Sequence, residues 1–402
     1  MVKAAILGFG TVGSGVEEVL RTNAALIERR AGTAVTVKYI LDIRDFSGTP
    51  FENVVIRDFE RIENDPEISV VIETIGGARA AYDFTRRALA AGKSVVTSNK
   101  ELVATHGAEL LALAREKNVN YLFEASVGGG IPILRPMLQC LTANRIEEVT
   151  GILNGTTNFI LTKMLEENVS FDAALRDAQA RGYAERDPSA DVDGLDACRK
   201  TAILADLAYG REVCPDAIET EGIRGVTLED AENASRAGCA IKLLGRSILR
   251  EDGRIWAFVA PHFVPKTEML ASVTGVFNAI RVTGDAVGDV LFYGQGAGKL
   301  PTASAVVADV VDAVKHREVR RVLSWEPAPV SDTQDAAPYV ADLADMPCAF
   351  YVRGEAGDAF GRCERLSADA LITQVMPTGE FREKIAALRA SGREIHSVFR
   401  VL

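Results

Sequence analysis

Short apolar blocks alternate with amphipathic stretches through the first third of the chain. After an apolar opening, blocks at 35–41, 69–75, 94–97 and 121–123 read as strands buried on both faces. Between them lie helical patterns. The stretch 78–91 places Ala81, Phe84, Ala88 and Leu89 on one face and stops at Gly92, which marks a crossover helix. Strictly alternating strands and helices predict a parallel sheet covered on both sides. Beyond Glu124 the pattern breaks at Ser126-Val-Gly-Gly-Gly-Ile-Pro132, too glycine-rich for a regular element, and the first domain is expected to end there, near residue 130.

The middle of the chain mixes strand-like runs at 147–153, 240–248, 255–260, 279–282 and 290–293 with helices between Asn158 and Gly210, which predicts an α+β domain over 131–299 with an open sheet. A helical pattern at 300–317 places Ala303, Val306, Val307, Val310, Val311 and Val314 on its apolar side and is expected to rejoin the first domain over about 300–322. Residues 323–345 carry Pro327, Pro329 and Pro338 and read as a linker. A small tail of strands and helices follows over 346–402.

The opening strand runs into Gly8-Phe9-Gly10-Thr11-Val12-Gly13 and then a helical pattern. That spacing suits a dinucleotide: Gly8 for the tight turn, Gly10 for close approach of the pyrophosphate, Gly13 for helix–strand packing, with free helix N–H groups facing the anion. The alternative is a plain glycine-rich turn. Two residues compete to read the ribose. Asp42 would accept from a free 2′-hydroxyl, whereas Arg44 would pair with a 2′-phosphate, so NAD and NADP both remain open. Asp42 lies twenty-nine residues past Gly13, a distance assigned to one long helix through Arg30.

Composition narrows the class. A net charge of −11 opposes nonspecific nucleic-acid binding, and charges interrupt every apolar stretch well short of the roughly 20 residues a membrane helix needs. The strand begins directly at Met1 and leaves no space for a secretory signal, so the expected location is cytoplasmic. The six cysteines are spread without metal-ligand spacing and read as reduced thiols.

Chemistry concentrates in two places. At Thr97-Ser98-Asn-Lys100 a strand gives way to a helix at the carboxyl edge of the sheet, where ligands bind in open α/β folds. A lysine in a first helical turn is electrostatically disfavoured, so Lys100 reads as facing the nicotinamide or else as simply exposed. The richest polar run is Gly182-Tyr183-Ala-Glu185-Arg-Asp187 through Asp191, Asp193 and Asp196 to Lys200. Asp196 and Lys200, four apart, share a helix face. Two readings stand: a surface ion pair, or an active-site lysine held by an aspartate with Glu185 and Asp191 available to an ammonium group.

Seven stretches together closely resemble homoserine dehydrogenase: Gly8 to Gly13, Ser98-Asn-Lys100, Glu124 to Pro132, Asn154-Gly155-Thr156-Thr-Asn158, Gly182 to Glu185, Asp191 to Lys200, and Gly294-Gln-Gly-Ala-Gly298 followed by Pro301-Thr-Ala-Ser304. The resemblance covers about residues 1–320. It implies a Rossmann-type dinucleotide-binding domain joined to an α+β substrate and dimerisation domain. It also implies reversible NAD(P)H-dependent reduction of L-aspartate 4-semialdehyde to L-homoserine, in the biosynthesis of threonine, methionine and isoleucine.

By the same resemblance Lys200 is the acid/base, Asp196 orients it and Lys100 lies close to substrate and nicotinamide. Glu185 and Asp191 take the substrate ammonium, while Gly155, Thr156 and Tyr183 line its pocket. Thr97, Ser98 and Gly298 join the glycine turn in holding the cofactor. Main-chain carbonyls of Glu124, Val127, Gly129 and Ile131 are implied to bind a structural Na+ ion, the alternative being an ion-free hinge. A lysine of ordinary pKa, about 10.4, is a ready acid and a poor base, so homoserine oxidation is expected to improve at alkaline pH. The tail resembles a truncated ACT domain with a very short first helix near 360–366, and a homodimer or homotetramer is implied. Another Rossmann reductase would need an acylating cysteine or a Glu-Lys-Pro after the fifth strand, where this chain has Ser98-Asn-Lys100-Glu101. A noncatalytic nucleotide sensor would not need the Glu185 to Lys200 cluster.

Overall fold

The computed structural model describes residues 1–321, 323, 325–327 and 338–402, which fall into two compact units. The first gathers Met1–Ala143, Ala202–Pro215 and a segment beginning at Gly294. The second gathers Asn144–Thr201, Asp216–Tyr293 and the C-terminal segment ending at Leu402.

In the first unit β1 (Val2–Leu7), β2 (Val35–Leu41), β3 (Val55–Ile56), β4 (Ile68–Glu73), β5 (Ser94–Thr97) and β6 (Tyr121–Leu122) form one sheet in the order β3-β2-β1-β4-β5-β6. Every neighbouring pair is parallel. The contiguous apolar runs are explained by burial: Ala4 to Leu7, Val71, Ile72, Val95 and Val96 are all inaccessible to solvent. The strand order reverses between β1 and β4, the kind of switch point at which open sheets bind ligands. The opening helix differs from the expected single one. It is two helices, Thr11–Thr22 and Ala24–Ala31, because Asn23 leaves the helical region at ψ 18°. Helix Lys299–Lys315 packs on the first of these, where a Cβ on Gly15 would sit 2.9 Å from the Lys299 carbonyl oxygen.

The first unit extends past residue 130. Both Glu124 carboxylate oxygens accept main-chain N–H groups, Oε1 from Ile133 and Leu134 and Oε2 from Arg135, at the start of helix Leu134–Gln139. Arg135 is ion-paired with Asp309 of helix Lys299–Lys315. These bonds tie residues 131–139 to the first unit, against the boundary expected at 130.

An eleven-stranded sheet runs through the second unit. Its strands are β7 (Ile146–Ile152), β8 (Glu219–Thr220), β9 (Cys239–Leu249), β10 (Ile255–Pro265), β11 (Phe277–Gly284), β12 (Gly288–Gln295), β13 (Pro347–Gly354), β14 (Cys363–Arg365), β15 (Ala370–Thr373), β16 (Met376–Pro377) and β17 (Ile395–Val401). The main path is β12-β11-β7-β9-β10-β17-β13-β15-β14, with β8 on β10 and β16 on β13. The tail, expected as a domain of its own, therefore adds its strands to this sheet through the β10–β17 pairing. Where a short helix was expected near 360–366 there is β14. A buried polar network also fastens the tail: Asp230 accepts from Tyr351 Oη at 2.9 Å, Arg353 Nε at 2.8 Å and Ser397 Oγ at 2.9 Å. On the other face of β13, Phe350 and Phe381 stack with ring centroids 3.7 Å apart.

The ends of the stretch expected as a linker, 323–345, belong to these units. Trp325 is buried against Gly107, and Tyr339 and Ala341 bond to Ile255 through the main chain. Residues 328–337 of that stretch lie outside the described residues.

Candidate active site

The glycine turn has the geometry its spacing predicts. Gly8 sits at φ +83°, a left-handed conformation that favours glycine. A Cβ on Gly13 would lie 2.1 Å from the Gly8 carbonyl oxygen, whereas one on Gly10 would meet no protein atom within 4 Å. Helix Thr11–Thr22 has no side-chain cap, so Thr11, Val12 and Gly13 present N-terminal amides to an anion. The Phe9 N–H donates to Asp42 Oδ2 at 2.7 Å. Arg44 also donates to Asp42, through its main-chain N–H and its guanidinium. The guanidinium, burial-opposed but dominant, holds the Asp42 carboxyl well below the usual carboxylate range. Asp42 thus serves the turn and Arg44, while the Arg44 side chain is 54% exposed.

At the carboxyl edge of β4 and β5 the chain buries a carboxylate that the sequence did not mark. Glu73 is wholly inaccessible, accepts from the Thr97 hydroxyl and the Ile75 N–H, and is pushed up to about 7 by burial. Thr97 is buried with it, and Ser98 follows at the partly exposed end of the strand. Asn99 caps helix Lys100–Glu116 by accepting from Leu102 N–H, and Lys100 begins that helix half-buried. Glu73 is neutral below its folded pKa and carries a buried charge above it. Its stabilising neutral form is therefore lost as pH rises from about 4.5 through 7, a penalty of about 3 kcal/mol. Glu73→Gln should raise the melting temperature at pH 8.5 and leave it nearly unchanged at pH 4.5; equal shifts at both pH values would contradict this assignment.

The glycines of the two remaining turns in the first unit fit each other. A Cβ on Gly129 would lie 2.4 Å from the Gly296 carbonyl oxygen, and Gly298, at φ +131°, precedes helix Lys299–Lys315. The Gly130 N–H donates to the Gln295 carbonyl and the Ile131 N–H to that of Gly128.

The second unit gathers the polar run. At the end of β7, Asn154 caps helix Gly155–Glu167 by accepting from Thr157 N–H at 2.8 Å. Its Nδ2 donates to Asp191 Oδ1 at 2.7 Å and Asp196 Oδ2 at 2.8 Å. Lys200 Nζ donates to the same Asp196 oxygen and to the Leu153 carbonyl, both at 2.7 Å. Lys200 and Asp196 are 8% and 4% exposed, which removes the surface-pair reading. Thr156 donates to the Tyr183 carbonyl, Tyr183 packs edge-on against Phe159, and a Cβ on Gly155 would lie 2.7 Å from the Val276 carbonyl oxygen. Glu185 stands exposed beside this network, its carbonyl accepting from Gln179. Burial raises the Asp191 carboxyl, with Asp196 adding to the effect against the Asn154 hydrogen bond. The Lys200 charge offsets part of this, but among the described residues no cationic side chain ion-pairs with Asp191, so an incoming ammonium would relieve a partly desolvated negative charge. Asn154 joins Asp191 to the Asp196–Lys200 pair; its position before a helix start was the signal available.

Among the described residues no helix is long and apolar enough to cross a membrane, and no group of His, Cys, Asp and Glu is placed to hold a metal. The doubly covered parallel sheet, the glycine turn at its switch point and a buried lysine held by a carboxylate define an NAD(P)-dependent oxidoreductase. Residues 8–124 match the family model described as homoserine dehydrogenase, NAD binding domain, and residues 132–311 match that of homoserine dehydrogenase. The chain belongs to the homoserine dehydrogenase family. It is 43% identical to homoserine dehydrogenase of Pseudomonas aeruginosa over 89% of this chain and 82% of that one. To the Synechocystis enzyme it is 39% identical over 100% and 99%. The crystal structure of a homoserine dehydrogenase from Thiobacillus denitrificans superposes with a TM-score of 0.89 at 37% identity, covering 100% of this chain and 98% of that one. A hyperthermophilic archaeal homoserine dehydrogenase mutant in complex with NADPH gives a TM-score of 0.66 at 30% identity, over 78% and 97%. The reaction is the NAD(P)H-dependent reduction of L-aspartate 4-semialdehyde to L-homoserine.

Proposed function

We propose that Lys200 is the acid/base of this reaction. The observation that carries the reading is the sharing of one Asp196 oxygen by Lys200 and Asn154 in a buried cluster. Bound nicotinamide supplies the hydride to the aldehyde carbon. As that carbon is reduced, negative charge grows on its oxygen; Lys200 Nζ stabilises it and delivers the proton. Asp196 and the Leu153 carbonyl fix the direction of Nζ. Asp191 and Glu185 bind the substrate ammonium, and Gly155, Thr156 and Tyr183 line its seat. In the first unit Lys100 serves substrate and nicotinamide beside Thr97 and Ser98, with the pyrophosphate on Gly8 to Gly13 and Gly298 supporting the cofactor. Asp191→Asn should raise KM for homoserine by about 100-fold, the scale of losing a charge-assisted bond, with KM for the dinucleotide unchanged. Equal KM for homoserine in variant and wild type would remove Asp191 from the substrate's seat.

Arg44, exposed and steered by Asp42, is the proposed reader of a 2′-phosphate, which makes NADP the preferred cofactor over NAD. Arg44→Ala is expected to raise KM for NADP+ about tenfold or more and to leave KM for NAD+ within twofold. If both rise alike, Arg44 does not discriminate. A structural Na+ ion on the carbonyls of Glu124, Val127, Gly129 and Ile131 completes the proposal. Supporting it, the amides around this turn donate to other carbonyls, those of Phe123, Gly128 and Gln295. Strand β12 ends the order of its sheet with Tyr293 exposed, a suitable edge for a homodimer or homotetramer. The truncated ACT-like tail, built into the same sheet, has a structural role in this reading.

A further inference from the structure

Behind helix Gly155–Glu167, away from Asn154 in sequence, the second unit contains a buried positive charge that the reaction does not use. Lys242, on β9, is 2% exposed. Its Nζ donates to Asn158 Oδ1 at 3.1 Å and to the Val273 carbonyl at 2.5 Å. Both acceptors are neutral, and among the described residues no carboxylate lies within ion-pairing distance of this ammonium. A lysine has three donors, so one remains beyond these two bonds. Burying an ammonium without an ion-pair partner is costly, and burial brings Lys242 down to about 8 against the opposing pull of the more distant Glu166 carboxylate.

Lys242 also lines a cavity of about 390 Å³, a volume typical of small-molecule sites. Its apolar wall includes Leu161, Leu165, Ile241 and Ala271. Lys266 and Glu166 stand exposed at its mouth, where their opposite charges are solvated. The buried ammonium is therefore the charge that selects an occupant, and the wall suits a short hydrocarbon body. The hydrocarbon wall beside the ammonium favours an organic carboxylate over an inorganic anion such as phosphate.

We propose that this cavity binds a small organic carboxylate with an apolar body, its anion on Lys242 Nζ and its hydrocarbon part against Leu161 and Leu165. Asn158, which Lys242 holds, also donates to the Val273 and Phe277 carbonyls, so the occupant sits directly behind the helix that begins at the Asn154 cap.

The test is calorimetric titration of the full-length protein with isobutyrate, acetate and inorganic phosphate at constant ionic strength, with saturating homoserine present to occupy the substrate seat. Isobutyrate is expected to bind saturably, at least threefold tighter than acetate, with no saturable binding of phosphate. Binding should fall at least tenfold in Lys242→Met and in Leu165→Trp, which fills the cavity while keeping the lysine. In wild type labelled at lysine Cε, the Lys242 resonance should shift with the same saturation curve, a readout independent of any variant. Absence of saturable isobutyrate binding, a Lys242 resonance that does not move, tighter binding of phosphate, or wild-type affinity in correctly folded variants would overturn the proposal.

Discussion

Replacing Lys200 by alanine is expected to lower kcat for homoserine oxidation by about 10³-fold, the scale of losing a positioned acid/base that also stabilises a developing alkoxide. Dinucleotide affinity should stay at the wild-type level, because Lys200 belongs to the cluster around Asn154 and not to the glycine turn. Stability is expected to suffer as well: Asp196, 4% exposed, would keep its carboxylate without the ammonium 2.7 Å away. Breaking one side of a buried pair costs about 3–5 kcal/mol. The double variant Asp196→Asn with Lys200→Met removes both charges at similar volume, so its melting temperature should recover while turnover does not. Recovery of both would mean that the pair acts only through stability.

The second large effect is expected at the glycine turn. In Gly13→Ala the new Cβ would fall 2.1 Å from the Gly8 carbonyl oxygen, so the turn or the helix must move. Overpacking of this kind costs about 1–3 kcal/mol, and dinucleotide affinity should fall by about 10- to 100-fold together with a lower melting temperature. Gly10→Ala supplies the contrast. Its φ of −73° suits alanine and its Cβ would meet no protein atom within 4 Å, so the melting temperature should hold while dinucleotide affinity drops. Fluorescence titration with NADPH alongside thermal unfolding separates the two cases. Unchanged affinity in Gly10→Ala would place the pyrophosphate elsewhere.

The sheet of the first unit was legible because strands buried on both faces must be continuously apolar; β2 and β5 fall at their expected residues for that reason. Two-residue β3 and three-residue β14 are too short to carry a period. The extension of the first unit to Ala143 depends on Glu124 reaching the amides of residues 133–135, a bond that no hydropathy pattern registers. The tail's place in the second sheet likewise rests on β17 lying parallel to β10, more than 130 residues earlier in the chain. In the site, the four-residue spacing of Asp196 and Lys200 was visible, but their burial was not. Asn154 reaches Asp191 and Asp196 across 37 and 42 residues, and Glu73 meets Thr97 across 24. Such contacts are set by tertiary packing, and sequence spacing alone does not specify them.

The most direct measurement is single-turnover oxidation of NADPH by L-aspartate 4-semialdehyde, followed by stopped flow for wild type and Lys200→Met. The account predicts rapid hydride transfer in the wild type and a rate about 10³-fold lower in the variant, at equal NADPH affinity. A variant rate within tenfold of wild type would contradict it.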